Sequence, residues 1–196
     1  MSVAVKSHAL VFVELRAADP EAVSALQVAR AHLEGGAALT GLRRWRVFEL
    51  RGELPEPAEL AARLDRSTQF LNPAKERCTI VTGPGDRNPF APHEAGVLVF
   101  DRGGERRPAA ERWWRHDGGA RIEVREGVAW GLAFAGVADA AGVERVAVTT
   151  SRARGLLCNP HSQEWRWTPA GEAPPTDWIS GRKTTRAGRG AGGNAR

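Results

Sequence analysis

The feature that most constrains the fold of this chain is a repeat, in which two pairs of similar segments share one spacing of 87 residues (9 to 96 and 70 to 157). Residues 9–14, Ala-Leu-Val-Phe-Val-Glu, match residues 96–101, Gly-Val-Leu-Val-Phe-Asp. Residues 70–73, Phe-Leu-Asn-Pro, match residues 157–160, Leu-Cys-Asn-Pro. Because both ends of a unit agree at the same spacing, the sequence predicts a tandem duplication.

Two changes in composition divide the chain. Residues 82–94 contain two glycines and three prolines, which is typical of a linker. The segment from Pro169 onward lacks apolar periodicity and is rich in Gly, Pro, Thr and Arg. We therefore predict four segments: a first unit at 1–82, a linker at 83–95, a divergent second unit at 96–168 and a flexible basic tail at 169–196.

In the first unit, segments whose apolar residues have the spacing of a strand follow in turn with segments whose apolar residues have the spacing of a helix. Asp19-Pro20-Glu21 favours a helix start, because Asp caps free amides, Pro has no N–H to lose and Glu complements the helix dipole. Pro73 ends the second helix. The predicted elements are a strand at 9–15, a helix from Asp19, a strand at 42–50, a helix at 57–71 and a strand at 77–81.

The second unit allows two interpretations. Both place a strand at 97–100, a helix at 108–115 and a strand at 122–124. In the duplication register, a strand at 128–134 precedes a helix marked by Val143, Val146, Thr150 and Leu157. In the alternative register, residues 130–141 form the helix, and residues 144–150 form a strand of high β-propensity.

The net charge of +5 comes from one end of the chain. Residues 182–196 contain five Lys or Arg residues and no acid, so residues 1–181 are neutral by count. A basic folded face is therefore not indicated. The distribution instead gives an alternative function, in which a small α/β protein binds nucleic acid through the tail at 182–196.

Composition also points to a compartment. The longest apolar run, residues 128–138, is too short to span a bilayer, and the N-terminus lacks the pattern of a signal peptide. The two cysteines, Cys78 and Cys158, cannot form a disulfide framework. We therefore expect a cytoplasmic protein with free thiols and no membrane partner.

The motifs of the first unit resemble those of the PurS family, the small subunit of bacterial phosphoribosylformylglycinamidine synthase. That family has Asp-Pro after its first strand, a second strand ending in Glu-Leu, and a helix ending in Asn-Pro with Glu soon after. The residues at matching places are Arg44, Glu49, Leu50, Leu71, Asn72, Pro73 and Glu76. Residues 156–160, Leu-Leu-Cys-Asn-Pro, repeat the last motif. The resemblance covers residues 9–82 well and residues 96–168 poorly.

The resemblance implies an α+β fold of two β-α-β-α-β units, each a small sheet with helices on one face, which together form a pseudo-dimer. It also implies a non-catalytic scaffold in purine biosynthesis that holds a glutaminase subunit against a synthetase subunit. The chain departs from the family in three ways. It carries two units, Trp45-Arg46 replaces a Gly-Lys pair, and Arg106-Arg107 stands where the second unit would have Asp-Pro.

No catalytic, cofactor-binding or metal-binding constellation is evident in the sequence. The cysteines are interpreted as small buried hydrophobes, and the five histidines lack ligand spacing. The Asn-Pro pairs are either helix-end signals or subunit contacts, and the tryptophans either fill the core or form an aromatic interface. The predicted partner interface consists of Asn72, Pro73, Glu76, Asn159, Pro160, Trp165 and Trp167.

Overall fold

The computed structural model describes residues 6–103, 107–118 and 120–176. Its first half contains β1 (Lys6–Leu15), α1 (Pro20–His32), β2 (Leu39–Leu54), α2 (Pro57–Asp65) and β3 (Glu76–Val81). Its second half contains β4 (Glu94–Asp101), α3 (Pro108–Gly118), β5 (Ile122–Phe134), α4 (Ala140–Ala147) and β6 (Gln163–Thr168). Each half therefore has the order β-α-β-α-β.

The strands form one antiparallel sheet of six strands in the order β3-β1-β2-β5-β4-β6. Strands β2 and β5 lie at its centre and join the two halves along most of their length. The predicted α+β class is confirmed. Within the described residues, no helix is long and apolar enough to cross a membrane.

The helices cover one face of the sheet, and each part of this layer contains helices from both halves. One apolar cluster joins α2 to α3 and includes Phe70 and Trp114, both fully buried. The other joins α1 to α4 and includes Ala29 and Val146. Because each cluster draws on both halves, neither half has a helix layer of its own.

Segments outside the strands and helices cover the opposite face. The ring of Phe90 packs edge-on against Phe12 and Trp45, with ring centroids 5.7 and 5.3 Å apart. The side-chain amide of Asn88 donates to the carbonyl of Glu172 at 2.7 Å. Residues 169–176, predicted to be the start of a flexible tail, thus lie against the linker. The remainder of that predicted tail, residues 177–196, lies outside the described residues.

Residues 169–176 also extend from edge strand β6 to β1, in the other half of the sheet. The imidazole Nδ1 of His8 in β1 hydrogen-bonds the carbonyl oxygen of Thr176. Pro174, which lies between the two hydrogen-bonded residues Glu172 and Thr176, is buried. Since residue 168 ends edge strand β6, residues 169–176 connect the second half of the chain to the first.

The first-unit prediction was wrong about the length of one helix. Helix α2 ends at Asp65 rather than at residue 71. The hydroxyl of Ser67 accepts a hydrogen bond from the N–H of Gln69, and the Ser67 carbonyl accepts from the N–H groups of Phe70 and Leu71. Serine competes with the helix for backbone groups in this way, so the chain turns before it reaches Asn72.

In the second unit, the structure agrees with the duplication register in placing a helix at Val143 and Val146. The predicted helix was too long, because α4 ends at Ala147 and both Thr150 and Leu157 lie outside it. Residues 122–134 form one strand, and the alternative strand at 144–150 is wrong because α4 occupies most of that segment. The side chain of Asp139 accepts from the N–H of Gly142 at 2.7 Å and caps α4. Val143 and Val146 face the core, so the apolar spacing of this segment is helical.

The spacing of 87 holds for one pair of strands and not for the other. Leu10 pairs with Val81, and Gly96 pairs with Thr168. Leu10 and Val81 pack on the face opposite the helices, whereas Val97 packs on the helix face. Strand β3 therefore corresponds to β6 at a spacing of 87 (81 to 168), but β1 corresponds to β4 at 86 (10 to 96). The match of residues 9–14 with 96–101 was wrong by one residue, since a shift of one exchanges the two faces of a strand.

Candidate functional site: two Asn-Pro turns

The first turn, residues 72–76, leads into edge strand β3. The carbonyl of Asn72 accepts from the N–H groups of Lys75 and Glu76, at 2.9 and 2.8 Å. The Asn72 side-chain oxygen accepts from the N–H of Ala74 at 3.1 Å. The Glu76 carboxylate closes the turn by accepting from the N–H of Asn72 at 2.6 Å. Pro73 suits the first turn position because it fixes φ and has no N–H to leave unpaired.

The second turn, residues 159–163, leads into edge strand β6 and repeats these bonds. The Asn159 carbonyl accepts from the N–H groups of Ser162 and Gln163, at 3.2 and 2.8 Å. The Asn159 side-chain oxygen accepts from the N–H of His161 at 3.0 Å. Oε1 of Gln163 accepts from the N–H of Asn159 at 2.9 Å. Gln163 replaces Glu76 in this role because both side chains supply an acceptor oxygen.

An arginine anchors each turn to the neighbouring strand. Nε of Arg16 donates to the carbonyl of Pro73 at 3.3 Å, and Nη2 of Arg102 donates to the carbonyl of Pro160 at 2.9 Å. Each arginine directly follows its strand, β1 or β4. Neither arginine was identified from the sequence, because their spacing of 86 (16 to 102) differs from the repeat spacing of 87.

The first turn is tied to the centre of the sheet by charge. Nη2 of Arg46 donates to the Phe70 carbonyl at 3.0 Å and to both Glu76 oxygens, at 2.9 and 3.1 Å. Nη1 of Arg46 lies 3.8 Å from Glu126, which in turn pairs with Arg107 at 2.9 Å. The chain of charges thus runs from the first turn into the second half.

The second turn has an uncharged side chain, Gln163, in the place of Glu76. The side-chain amide of Gln163 donates to the carboxylate of Asp101 at 3.0 Å. The residue paired with Arg46 across the central strands is Val128, which carries no charge. The two turns therefore share a backbone geometry and differ in their electrostatics.

Five of the seven predicted interface residues lie in the two turns. Asn72, Pro73 and Asn159 are exposed. The two tryptophans, Trp165 and Trp167, lie farther along β6, half-buried against the cluster that joins α1 to α4. They share one strand face, and their contacts are those of core packing.

The thiols are poorly placed for nucleophilic chemistry. Burial raises the pKa of Cys158 to about 11, with Arg102 opposing the shift. Burial and the nearby carboxylate of Asp65 raise the pKa of Cys78. Both stay protonated near neutral pH, and the thiol is a weak nucleophile. Among the described residues, no group of three or more His, Cys, Asp or Glu side chains could hold a metal ion.

Arg46 offers a test of how firmly the first turn is held. We expect Arg46→Ala to lower the free energy of unfolding by about 1–2 kcal/mol, because it removes charged hydrogen bonds to Glu76 and Phe70 that are only partly exposed to water. The control is Arg154→Ala, which breaks an ion pair to Glu34 in which both side chains are about half exposed. That control should cost less than about 0.5 kcal/mol. Equal losses in urea denaturation would contradict the anchoring role.

Comparison with protein-family models, curated proteins and solved structures gives no match to this chain. Over the described residues, the structure defines an α+β protein with a six-stranded antiparallel sheet, four α-helices on one face and a matching Asn-Pro turn at each edge.

Proposed function

We propose that this chain is a non-catalytic scaffold of the PurS type, a fused pseudo-dimer that serves phosphoribosylformylglycinamidine synthase in purine biosynthesis. Its partners are a glutaminase subunit and a synthetase subunit, and it works in the cytoplasm. The observation that supports this proposal most strongly is the double occurrence of the family-like Asn-Pro motif in one hydrogen-bonded turn.

The strand pairing supports a pseudo-dimer. The order β3-β1-β2 of the first half is mirrored by β6-β4-β5 in the second. Leu50 and Leu132 are equivalent, because they pair with the equivalent strands β1 and β4, and their spacing is 82 (50 to 132). The same spacing converts Arg46 into Val128, which is its own pairing partner. An approximate two-fold axis through this pair would relate the halves as protomers of an isologous dimer.

The position of the turns suits a scaffold for two proteins. The turns precede the two edge strands, which are separated by five strand spacings. At about 4.8 Å per spacing, the edges are about 24 Å apart. Two partners can therefore be held at once without competing for one surface. Fusion of the units also makes their association intramolecular, so assembly does not depend on protomer concentration.

The chemistry of the proposed complex explains the need for such a scaffold. The glutaminase releases ammonia, and the synthetase consumes it together with ATP and formylglycinamide ribonucleotide. Free ammonia that escapes into water is diluted and protonated, so the two active sites must stay in register. In this proposal the partner subunits supply every catalytic group, and the chain supplies geometry.

Nucleic-acid binding through residues 182–196 remains a prediction from the sequence, since those residues lie outside the described part of the chain. Deletion of 182–196 separates the two functions. If the scaffold proposal holds, the deletion leaves enzyme assembly intact. If nucleic acid is the partner, the deletion abolishes retention on heparin or DNA.

The proposal is tested by mixing the full chain with the synthetase and glutaminase subunits of its host. We expect the three proteins to co-elute from a size-exclusion column, and we expect the two enzymes without this chain to elute separately. Failure of the full chain to co-elute with either enzyme would overturn the proposal.

A further inference from the structure

We propose that the first turn docks an acidic surface of its partner and that the second turn docks an uncharged surface, so that the two turns bind two different proteins. This inference rests on the proposed scaffold function and adds the chemistry of each partner surface. It follows from comparing the first turn with the second, because the two turns have the same backbone hydrogen bonds and different side chains.

The differences fall at three consecutive positions. Lys75 in the first turn corresponds to Ser162 in the second, and Glu76 corresponds to Gln163. The next residues, Arg77 and Glu164, differ in the sign of their charge. Since the backbone bonds tolerate either set, turn formation alone does not require the basic residues of the first turn.

Most charges around the first turn are neutralised within the protein. Glu76 is paired with Arg46. Arg77 is paired with Glu14 at 2.7 Å. These two pairs neutralise Glu76 and Glu14, so neither carboxylate is free to offset a further cation at the turn.

Two cations remain at the first turn. Arg16 and Lys75 are exposed, and among the described residues neither has a carboxylate within 4.0 Å. The hydrogen bond from Arg16 to the Pro73 carbonyl holds its guanidinium beside the turn. The first turn thus presents two positive charges toward the solvent, one of which, on Arg16, is held by a hydrogen bond.

At the second turn, the exposed charges of Arg102 and Asp101 sum to zero, with histidine taken as uncharged. Arg102, the equivalent of Arg16, directly follows Asp101 in the chain, and this carboxylate accepts from Gln163. Ser162 takes the place of Lys75. Glu164 is buried, so it does not contribute to the surface of the turn.

Exposed charges of this kind act mainly on the rate of association. A positive patch attracts an acidic surface over roughly one Debye length, about 8 Å at physiological salt. Mutation of a charge at the rim of an interface changes the association rate and its salt dependence more than the dissociation rate. The first turn should therefore give salt-sensitive association, and the second turn should not.

The test measures binding of the full chain to each isolated partner subunit at about 0.05 and about 0.5 M salt. The higher concentration screens the attraction between exposed charges much more strongly. We expect Lys75→Glu to slow association with one of the two subunits about tenfold or more at low salt, and to have a smaller effect at high salt. The matched control is Ser162→Glu, which places the same carboxylate on the other turn. It should leave binding of that same subunit within about twofold.

A second variant, Lys75→Ser, removes the positive charge without adding a negative one. It should slow association with the same subunit by about threefold or more at low salt. Both positions are exposed, and unchanged thermal unfolding verifies that the variants fold. The inference is overturned if the unmodified chain binds a subunit and the Lys75 variants bind it as the Ser162 variant does. If the unmodified chain binds neither subunit, the proposed function itself is overturned.

Discussion

Trp114→Ala is expected to lower the free energy of unfolding by about 3–5 kcal/mol, the range typical of removing a large aromatic side chain from a core. Trp114 is fully buried in the cluster that joins α2 of the first half to α3 of the second. Its ring meets Phe70 edge-on at 6.2 Å, and the guanidinium of Arg63 lies 5.0 Å from its centroid. The cavity would therefore open where the two halves share their helix layer.

The neighbouring tryptophan supplies the control. Trp113 is on the same helix and half-buried, with its ring 6.0 Å from that of Phe70. Trp113→Ala should cost about 1–2 kcal/mol, because it removes less buried area and leaves a site open to water. Urea denaturation of the two variants measures the difference. A loss at Trp114 no larger than the loss at Trp113 would contradict a core shared by the two halves.

Gly155→Ala is expected to cost about 3 kcal/mol or more, which places it among the strongly destabilising single substitutions. Gly155 has φ +79°, in the region that residues with a Cβ rarely adopt. An added Cβ would lie 1.9 Å from the backbone carbon and oxygen of Val148. The N–H of Gly155 also donates to the Arg145 carbonyl at the end of α4, so the backbone cannot move away without losing that bond.

Gly35→Ala separates the two causes of that loss. Gly35 has nearly the same backbone angle, φ +80°, but an added Cβ would meet nothing within 4 Å. It should cost only the backbone strain, about 1–2 kcal/mol. Thermal or urea unfolding checks both variants, and similar losses at the two glycines would show that the close contact with Val148 is absent in solution.

Local signals predicted much of the fold from the sequence. Asp19 and Pro20 gave the start of α1 because capping depends only on neighbouring residues. The alternation of Trp45 with Arg46 gave the two faces of β2, since strand faces follow from period two. The duplication register correctly predicted a helix at Val143 and Val146, where β-propensity favoured a strand over 144–150, but it was wrong to extend that helix to Thr150 and Leu157.

Features that depend on distant parts of the chain were not predictable in the same way. The ring of Phe90, in a segment assigned only as a linker, fills the face opposite the helices. Strand pairing also set the spacing of β1 and β4 at 86, because burial of one strand face overrides similarity of residue letters. No local sequence pattern indicates the packing of Phe90 or the spacing between β1 and β4.

Some residues of the candidate site could be identified from the sequence, and others could not. Asn72, Pro73 and Glu76 were identified as neighbours within a motif, and the structure places them in one turn. The anchors Arg16 and Arg102 were missed because each lies more than 50 residues from its turn in the sequence. Pairing of Arg46 with Glu76 was likewise not predictable from local sequence, since it brings a residue of β2 to the turn before β3, 30 residues further along the chain.

The central claim, that this chain couples two enzymes, is tested most directly by comparing nitrogen sources in the reconstituted mixture. Synthesis of formylglycinamidine ribonucleotide by the host's synthetase and glutaminase is measured with and without this chain, first with glutamine and then with ammonia. We expect glutamine-driven turnover to require the chain and ammonia-driven turnover to proceed without it. Equal glutamine-driven rates with and without the chain would contradict the scaffold function.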